Sequence, residues 1–455
     1  MSAATYFIET YGCQMNEHDS EKMAAILETM GMSPVPTPDL ADVVVINTCS
    51  IREKAESKVY SALGRLRSLK AKHPAMVTVV AGCVAQQESE RLLKRVPHLD
   101  VVLGTHAIAR LPDVIRAVQK RRERVVQTDF VDDVASLHLP APGKGVSRVC
   151  SYVTIMQGCS NFCSYCVVPF TRGPEQSRPT QEIIGEVECL VQRGVQEVTL
   201  LGQNVNAYGK DRGEANGFVK LLERLNAIKG LRRVRFTTSH PRDFDASLAH
   251  AIAELPAVCE HIHLPLQSGS DWVLAAMNRG YTLQEYEEKI SLLRELTPVA
   301  ITADMIVGFP GETDEHFQET LRALERIKFD QIFSFKYSPR PNTAAAGFPD
   351  QVPERVKAER LAQVHAVQDA ITLAYHRAAE GTVAEVLVEG IKGDTGQPFG
   401  RTRGNKIVNL VTADGIHEGD CLPVRIVRGL KHSLLGAPIS EEPSGSSHHR
   451  AGNEM

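Results

Sequence analysis

The run Cys159-Ser-Asn-Phe-Cys163-Ser-Tyr-Cys166 closes an apolar stretch, Tyr152-Val-Thr-Ile-Met-Gln-Gly158. Three thiols fall within eight residues, in the spacing CxxxCxxC. A closed structural zinc site takes four ligands, whereas a four-iron cluster on three cysteines keeps one iron open to a small molecule. The spacing points to a cluster that does chemistry on a bound ligand. Its place at the end of a strand also bears on the fold, because the working residues of (β/α) barrels gather at the carboxyl ends of their strands.

Working outward, residues 146–375 alternate strand and helix. Strands are expected at Tyr152–Met156, Glu197–Leu201, Arg233–Thr237, His261–Leu264, Ile301–Val307 and Ile332–Lys336. Amphipathic helices lie between them, such as Thr180–Arg193, stopped by Gly194. Six such units suit a partial (β/α)6 barrel. Polar and glycine-rich runs follow the strands: Gly202-Gln-Asn-Val-Asn206, Thr238-Ser-His-Pro241, Gln267-Ser-Gly-Ser270 and Gly308-Phe-Pro-Gly-Glu312.

Residues 1–145 read as a separate α/β domain with an open parallel sheet. Thr5–Thr10, Asp42–Asn47, Met76–Ala81 and Leu99–Leu103 are β-branched runs, each followed by a helical pattern. Cys13, Cys49 and Cys83 follow the first three strands, 36 and 34 residues apart. That edge is where open α/β sheets bind ligands. A second three-cysteine cluster site fits the recurrence; three independent buried thiols remain the other reading. Between Ser50 and Val125 the chain carries 16 Lys/Arg against 7 Asp/Glu, densest at Lys120–Arg124. Such a patch suits a polyanion and equally a solvated helix face.

Residues 376–440 are strand-rich, in Gly381–Gly390, Gly400–Val411 and Cys421–Val427, and fit a small all-β barrel. Arg401, Arg403, Lys406, Arg425, Arg428 and Lys431 would give it a face for RNA phosphates; a plain capping domain is the alternative. Residues 441–455 are polar, with the composition of a disordered tail.

The 455 residues carry a formal net charge of −4 and no run of about 18 apolar residues that would suit a membrane helix. The first ten residues lack the layout of a secretory signal. A cytoplasmic location is expected, where ten cysteines serve as ligands or buried thiols rather than disulfides.

Several runs together resemble one family, the radical methylthiotransferases, over nearly the whole chain. They include Tyr11-Gly-Cys-Gln-Met-Asn16, Asn47-Thr-Cys49, Gly82-Cys83 and Arg172-Gly-Pro-Glu-Gln-Ser-Arg178. Leu200–Asn206, Leu264–Ser270 and Tyr337-Ser-Pro-Arg-Pro-Asn-Thr343 belong with them. The resemblance is nearest to the bacterial branch acting on isopentenylated adenosine beside the tRNA anticodon. The branch acting on a ribosomal protein has proline and lysine after its first cysteine, where this chain has Gln14 and Met15. The resemblance implies two [4Fe-4S] clusters, on Cys159, Cys163 and Cys166 and on Cys13, Cys49 and Cys83. It also implies S-adenosyl-L-methionine at the open iron of the first and a C-terminal barrel of the TRAM type. The partners it implies are a tRNA anticodon stem-loop and an electron donor such as flavodoxin, with the enzyme working as a monomer. C2 of adenine bears no acidic hydrogen, so radical chemistry, not acid–base chemistry, is required there.

Glu175, Gln203, Asn204, Ser239, Gln267 and Ser268 occupy rim positions suited to the cofactor or adenine; a polar strand-end residue serves equally as a turn or helix cap. His240 and His263 read as hydrogen-bonded structural residues, while Cys150, Cys189, Cys259 and Cys421 fit no cluster spacing. Three other readings stay open: the same chemistry on a ribosomal protein, the same chemistry on threonylcarbamoyladenosine tRNA, or a zinc-stabilised RNA-binding protein.

Overall fold

A computed structural model describes residues 4–50, 53–130 and 149–439, the side chains of 53–57 excepted. The expected boundary at residue 145 and the tail at 441–455 lie outside the described residues. The chain forms two compact units that divide at Gln368 and Asp369.

The first unit begins with a six-stranded parallel sheet. Its strands are β1 (Thr5–Tyr11), β2 (Ser33–Pro34), β3 (Val43–Thr48), β4 (Val77–Gly82), β5 (Val101–Leu103) and β6 (Val125–Gln127), in the order β2-β1-β3-β4-β5-β6. β3 and β4 are buried throughout, as continuous apolar strands must be when helices cover both faces. Val43 and Val45 pack with Met23 and Leu27 of α1 (Gln14–Thr29) and Ile115 of α5 (Leu111–Arg121). Val44 and Ile46 point the other way, to Leu63 and Leu66 of α2 (Glu53–Lys72) and Leu92 of α4 (Glu90–Arg95). A short helix, α3 (Cys83–Glu88), follows β4 directly. Strands β2 and β6 were not anticipated, being too short to show alternation.

Six further parallel strands follow: β7 (Cys150–Thr154), β10 (Glu197–Leu201), β11 (Arg233–Phe236), β12 (His261–His263), β13 (Ala300–Val307) and β14 (Gln331–Lys336). They form two three-stranded sheets joined through a Val234–Val258 bridge, which makes the partial barrel in sequence order. Helices α7 (Thr180–Gln192), α8 (Gly217–Asn226), α9 (Ala246–Glu254), α10 (Asp271–Ala276), α11 (Leu283–Leu296) and α12 (Asp314–Ile327) separate the strands. One correction concerns Tyr152–Met156. The strand stops at Thr154, and Met156–Gln157 (β8) pairs antiparallel with Gln176–Ser177 (β9). This two-rung ladder closes the base of the cysteine loop, which contains α6 (Val168–Arg172).

The second unit takes in the end of α13 (Glu354–Ala378) and a closed barrel in the order β15-β16-β17-β19-β18. Its strands are β15 (Val383–Ile391), β16 (Pro398–Thr402), β17 (Ile407–Leu410), β18 (Cys421–Gly429) and β19 (Leu434–Pro438). The run 400–411 is not one strand: Asn405, at φ +63°, turns the chain between β16 and β17. Among the basic residues, Arg401 pairs with Glu389 at 3.1 Å and Lys431 with Asp369 at 2.8 Å. Arg425 and Arg428 are exposed on β18, the second turned outward by a bulge. In the first unit Arg124 is bonded to the carbonyls of Leu93, Val96 and Leu99, so part of the basic run is structural.

The amino end of the central barrel holds a buried charge lattice: Glu197 lies 2.8 Å from Arg235 and 3.8 Å from Arg233. Glu197→Gln leaves buried guanidinium charge uncompensated, which costs about 3–5 kcal/mol. Trp272 is the single tryptophan and lies on α10, so its fluorescence reports on this barrel. The urea midpoint it follows falls in the variant; an unchanged midpoint would refute the lattice's role.

Candidate functional site

In the N-terminal layer, parallel register sets the site. Tyr11 faces Thr48 and Thr48 faces Gly82, so β1, β3 and β4 end level. Cys13, Cys49 and Cys83 follow at once, and the Cys49 thiol hydrogen-bonds both of the others. The turns are tight. A Cβ on Gly12 would stand 2.5 Å from Cys49 Cβ, and one on Gly82 would stand 2.4 Å from Asn47 Oδ1. Gly82 also has φ +90°, a conformation that favours glycine.

A buried polar lattice ties these turns together. Asn16 Nδ2 donates to Asn47 Oδ1 at 3.1 Å, and Asn47 Nδ2 donates to Asn16 O at 2.8 Å. Cys13 donates to Asn16 Oδ1 at 3.4 Å and occupies the N-cap position of the 16-residue α1, whose amino end favours negative charge there. Hydrogen bonds from Cys49 bring Cys13 down to about 7 and Cys83 to about 6, while the same bonds raise Cys49. Thr48 Oγ1 and Ser50 Oγ flank Cys49, buried and without a hydrogen-bond partner among the described residues.

The barrel trio is built locally. Gly158 turns at φ +82°, and a Cβ there would stand 1.9 Å from Pro174 O. Gly158 N–H donates to Gln203 Oε1 at 2.6 Å, and Ser160 N–H to Glu175 Oε1 at 3.4 Å. Asn204 Nδ2 donates to Glu175 at 3.3 Å and to Asp243 at 2.7 Å. Glu175, Gln203 and Asn204 thus gather round the start of the cysteine loop. Desolvation pushes Cys159 up to about 11 and Cys166 up to about 12. Buried Arg279 donates to Cys163 Sγ at 3.3 Å and to Pro265 O at 3.1 Å.

Ser239 and Gln267 are buried at strand ends, and Ser239 Oγ and Gln267 Oε1 lack partners among the described residues. Ser268 stands apart: its hydroxyl lies 3.2 Å from Thr320 Oγ1 and accepts from Ser270 N–H, a packing contact with α12. Sequence reasoning assigned no site role to Arg279, Arg172 or Asn16: Arg172 and Asn16 stand within the quoted runs Arg172–Arg178 and Tyr11–Asn16, and Arg279 stands in none. His240 accepts from Arg242 N–H through Nδ1, which leaves the proton on Nε2. Burial, then Arg279, lowers His240 to about 3 and keeps it neutral.

Both trios belong to the first unit. α6 begins two residues after Cys166, and its last residue, Arg172, donates to Asp19 Oδ2 of α1 at 2.7 Å. One short helix therefore runs from the barrel trio to the N-terminal trio. Among the described residues, no helix is long and apolar enough to cross a membrane.

Three family descriptions match this architecture: the uncharacterized protein family UPF0004 over residues 5–104, the radical SAM superfamily over 153–324 and the TRAM domain over 377–439. Among solved structures, the radical S-adenosylmethionine methyltransferase TsrM of Kitasatospora setae is similar at TM-score 0.57 and 15% identity, covering 80% of this chain and 83% of that one. At that identity the likeness concerns the fold. Relatives named tRNA-2-methylthio-N(6)-dimethylallyladenosine synthase are much nearer in sequence. The Geobacter metallireducens protein is 52% identical over 94% of this chain and 97% of its own length. The Ralstonia pickettii protein is 46% identical over 97% of this chain and 99% of its own. With such identity along nearly the full length of both chains, the protein belongs to the family of tRNA-2-methylthio-N(6)-dimethylallyladenosine synthases.

Proposed function

We propose that this chain adds a methylthio group to C2 of N6-isopentenyl(dimethylallyl)adenosine beside a tRNA anticodon. The observation that carries the reading is the pair of three-cysteine sites in one compact unit, joined through α6. Relatives that share nearly the whole chain bear the name of this reaction, which favours it over a ribosomal protein or threonylcarbamoyladenosine tRNA.

The residues fit the groups this reaction needs. Cys159, Cys163 and Cys166 would hold one [4Fe-4S] cluster, and Cys13, Cys49 and Cys83 the other. Buried polar atoms without a partner among the described residues accompany each trio. Thr48 and Ser50 flank Cys49, and Asn204 Oδ1 lies on the residue joined through Glu175 to the cysteine loop. Ser239 and Gln267 follow β11 and β12 at the carboxyl ends of the barrel strands. When bound, the clusters and S-adenosyl-L-methionine supply the one-electron chemistry and the sulfur for a carbon that carries no acidic proton. The chain's own part is to bind and orient. Gln203 fixes the Gly158 turn, Glu175 holds Ser160 N–H, and Arg279 places a positive charge on Cys163. Cys159 and Cys166 are protonated without metal, so loading this site displaces protons. Glu175, Asn204, Ser239 and Gln267, with neutral His240 as a donor, face the polar groups of cofactor and adenine in this reading; Ser268 supports their loop.

The base must leave its stack to reach such a site, which a single-stranded anticodon loop permits at low cost. The closed β-barrel presents Arg425 and Arg428 for the RNA backbone. The reading extends to a cytoplasmic monomer supplied with electrons by a flavodoxin-type protein. Both cysteine sites lie within one unit of one chain, so no second copy is required to complete them.

Three measurements bear on this. Protein reconstituted without oxygen carries about eight irons per chain, and replacing either cysteine trio by alanine halves that number; one or two zincs instead would end the radical reading. Gly158→Ala forces the cysteine loop off Pro174, so iron falls by about half, matching the barrel-trio variant; full iron content would contradict the role given to this turn. In cells lacking the gene, nucleoside mass spectrometry finds isopentenyladenosine in place of its 2-methylthio derivative, restored by the wild-type gene and not by Cys163→Ala. An unchanged tRNA profile would overturn the substrate assignment.

A further inference from the structure

Arg172 lies six residues beyond Cys166, yet its guanidinium is turned toward the other trio. It donates to Asp19 Oδ2 at 2.7 Å, and α6, which ends at Arg172, packs against α3, which begins at Cys83; the Arg172 charge lowers the Cys83 and Cys13 thiols. The peptide carrying it is held from the N-terminal layer: Thr105 Oγ1 donates to Thr171 O at 2.6 Å, and His106 Nε2 lies 2.9 Å from Arg172 O. Asp19 sits on α1, the helix capped by Cys13, and its charge also reaches Cys83. Both charged side chains are more than nine-tenths buried.

A buried ion pair is a poor stability device, because apolar residues of similar volume often serve as well or better. What it supplies here is a full positive charge acting on the Cys83 and Cys13 sulfurs, paired with the negative charge of Asp19. Away from water, each acts on its neighbours far more strongly than at the surface.

We infer that Arg172 is a positioning residue that sets the reduction equilibrium of the centre on Cys13, Cys49 and Cys83, with Asp19 opposing it. The inference rests on the reading of that trio as a cluster site. Uptake of one electron adds one negative charge to the centre; the guanidinium favours the reduced form and the carboxylate disfavours it. Loss of Arg172 makes the centre harder to reduce, and loss of the Asp19 charge makes it easier. A purely structural ion pair behaves otherwise, since either variant breaks the same bond and disturbs the site in the same sense.

The test uses the full chain with Cys159, Cys163 and Cys166 replaced by alanine, reconstituted with iron and sulfide. Titration with dithionite, followed by electron paramagnetic resonance, is run on this parent and on Arg172→Gln, Arg172→Lys and Asp19→Asn made in it. The expected result for Arg172→Gln is a reduction equilibrium about tenfold less favourable, or ~59 mV more negative for one electron. Asp19→Asn moves the potential the opposite way, and Arg172→Lys restores most of the parent value. Shifts of the same sign in Arg172→Gln and Asp19→Asn, or no shift with the cluster signal intact, overturn the inference. Should Arg172→Gln fail to assemble, the Asp19→Asn shift decides alone: upward supports the inference, downward or absent overturns it. A parent that takes up no iron overturns the cluster reading itself, and the inference with it, so the two failures are distinguishable.

Discussion

Parallel pairing in level register across β1, β3 and β4 is the constraint on which the N-terminal site depends. Because Tyr11, Thr48 and Gly82 are aligned, three chain segments leave the sheet at one height and their next residues enter one crevice. A slip of one residue in any strand would exchange its two faces, removing Val43 and Val45 from the α1 core and lifting Cys49 out of the trio. The crevice also lies between β1 and β3, where the sheet order reverses, the place at which open α/β sheets offer a site. Asn16 and Asn47 lock the arrangement, since displacing either side chain breaks the bond from Asn16 Nδ2 to Asn47 Oδ1 and leaves a buried polar atom without that partner.

The two trios meet the same difficulty, gathering sulfur charge away from water, in opposite ways. At the N-terminal site the surroundings are polar: a helix amino end, the Asn16 backbone N–H and Arg172 favour negative charge on Cys13, and Arg172 favours it on Cys83. At the barrel site, burial dominates and holds Cys159 and Cys166 protonated until a metal takes the place of the protons. Arg279 brings a guanidinium to the Cys163 sulfur, and Arg242 brings a second to Asn161 in the same loop. The segment from Cys159 to Arg172 takes part in both, with three thiols at its start and a cation for the other trio at its end.

The strands that carry the sites were legible because each is a β-branched run long enough to show its character, as in Val43–Thr48 and Ala300–Val307. Several short elements were not: β6 has three residues, and β2, β8 and β9 have two each. Their existence rests on partners distant in sequence. The split of 400–411 turns on Asn405, whose positive φ is a backbone choice that asparagine tolerates but does not demand. β19 closes its barrel by parallel pairing to β17, a long-range contact that Leu434–Pro438 alone does not announce. Ser268 looked like its neighbour Gln267, and only the approach of Thr320 separates a packing hydroxyl from a side chain whose Oε1 has no partner among the described residues.

By itself, the sequence determined the spacing of the two cysteine sets, the order of strands and helices and the small β-domain at the end. These are local properties, carried by ligand chemistry, side-chain periodicity and turn residues. The tertiary structure decided which charges meet which sulfurs. Arg172 and Asp19 are 153 positions apart, and Arg279 and Cys163 are 116 apart. Coulomb energy depends on distance in space and on the surrounding medium, and a linear sequence records neither until the parallel sheets have closed around them.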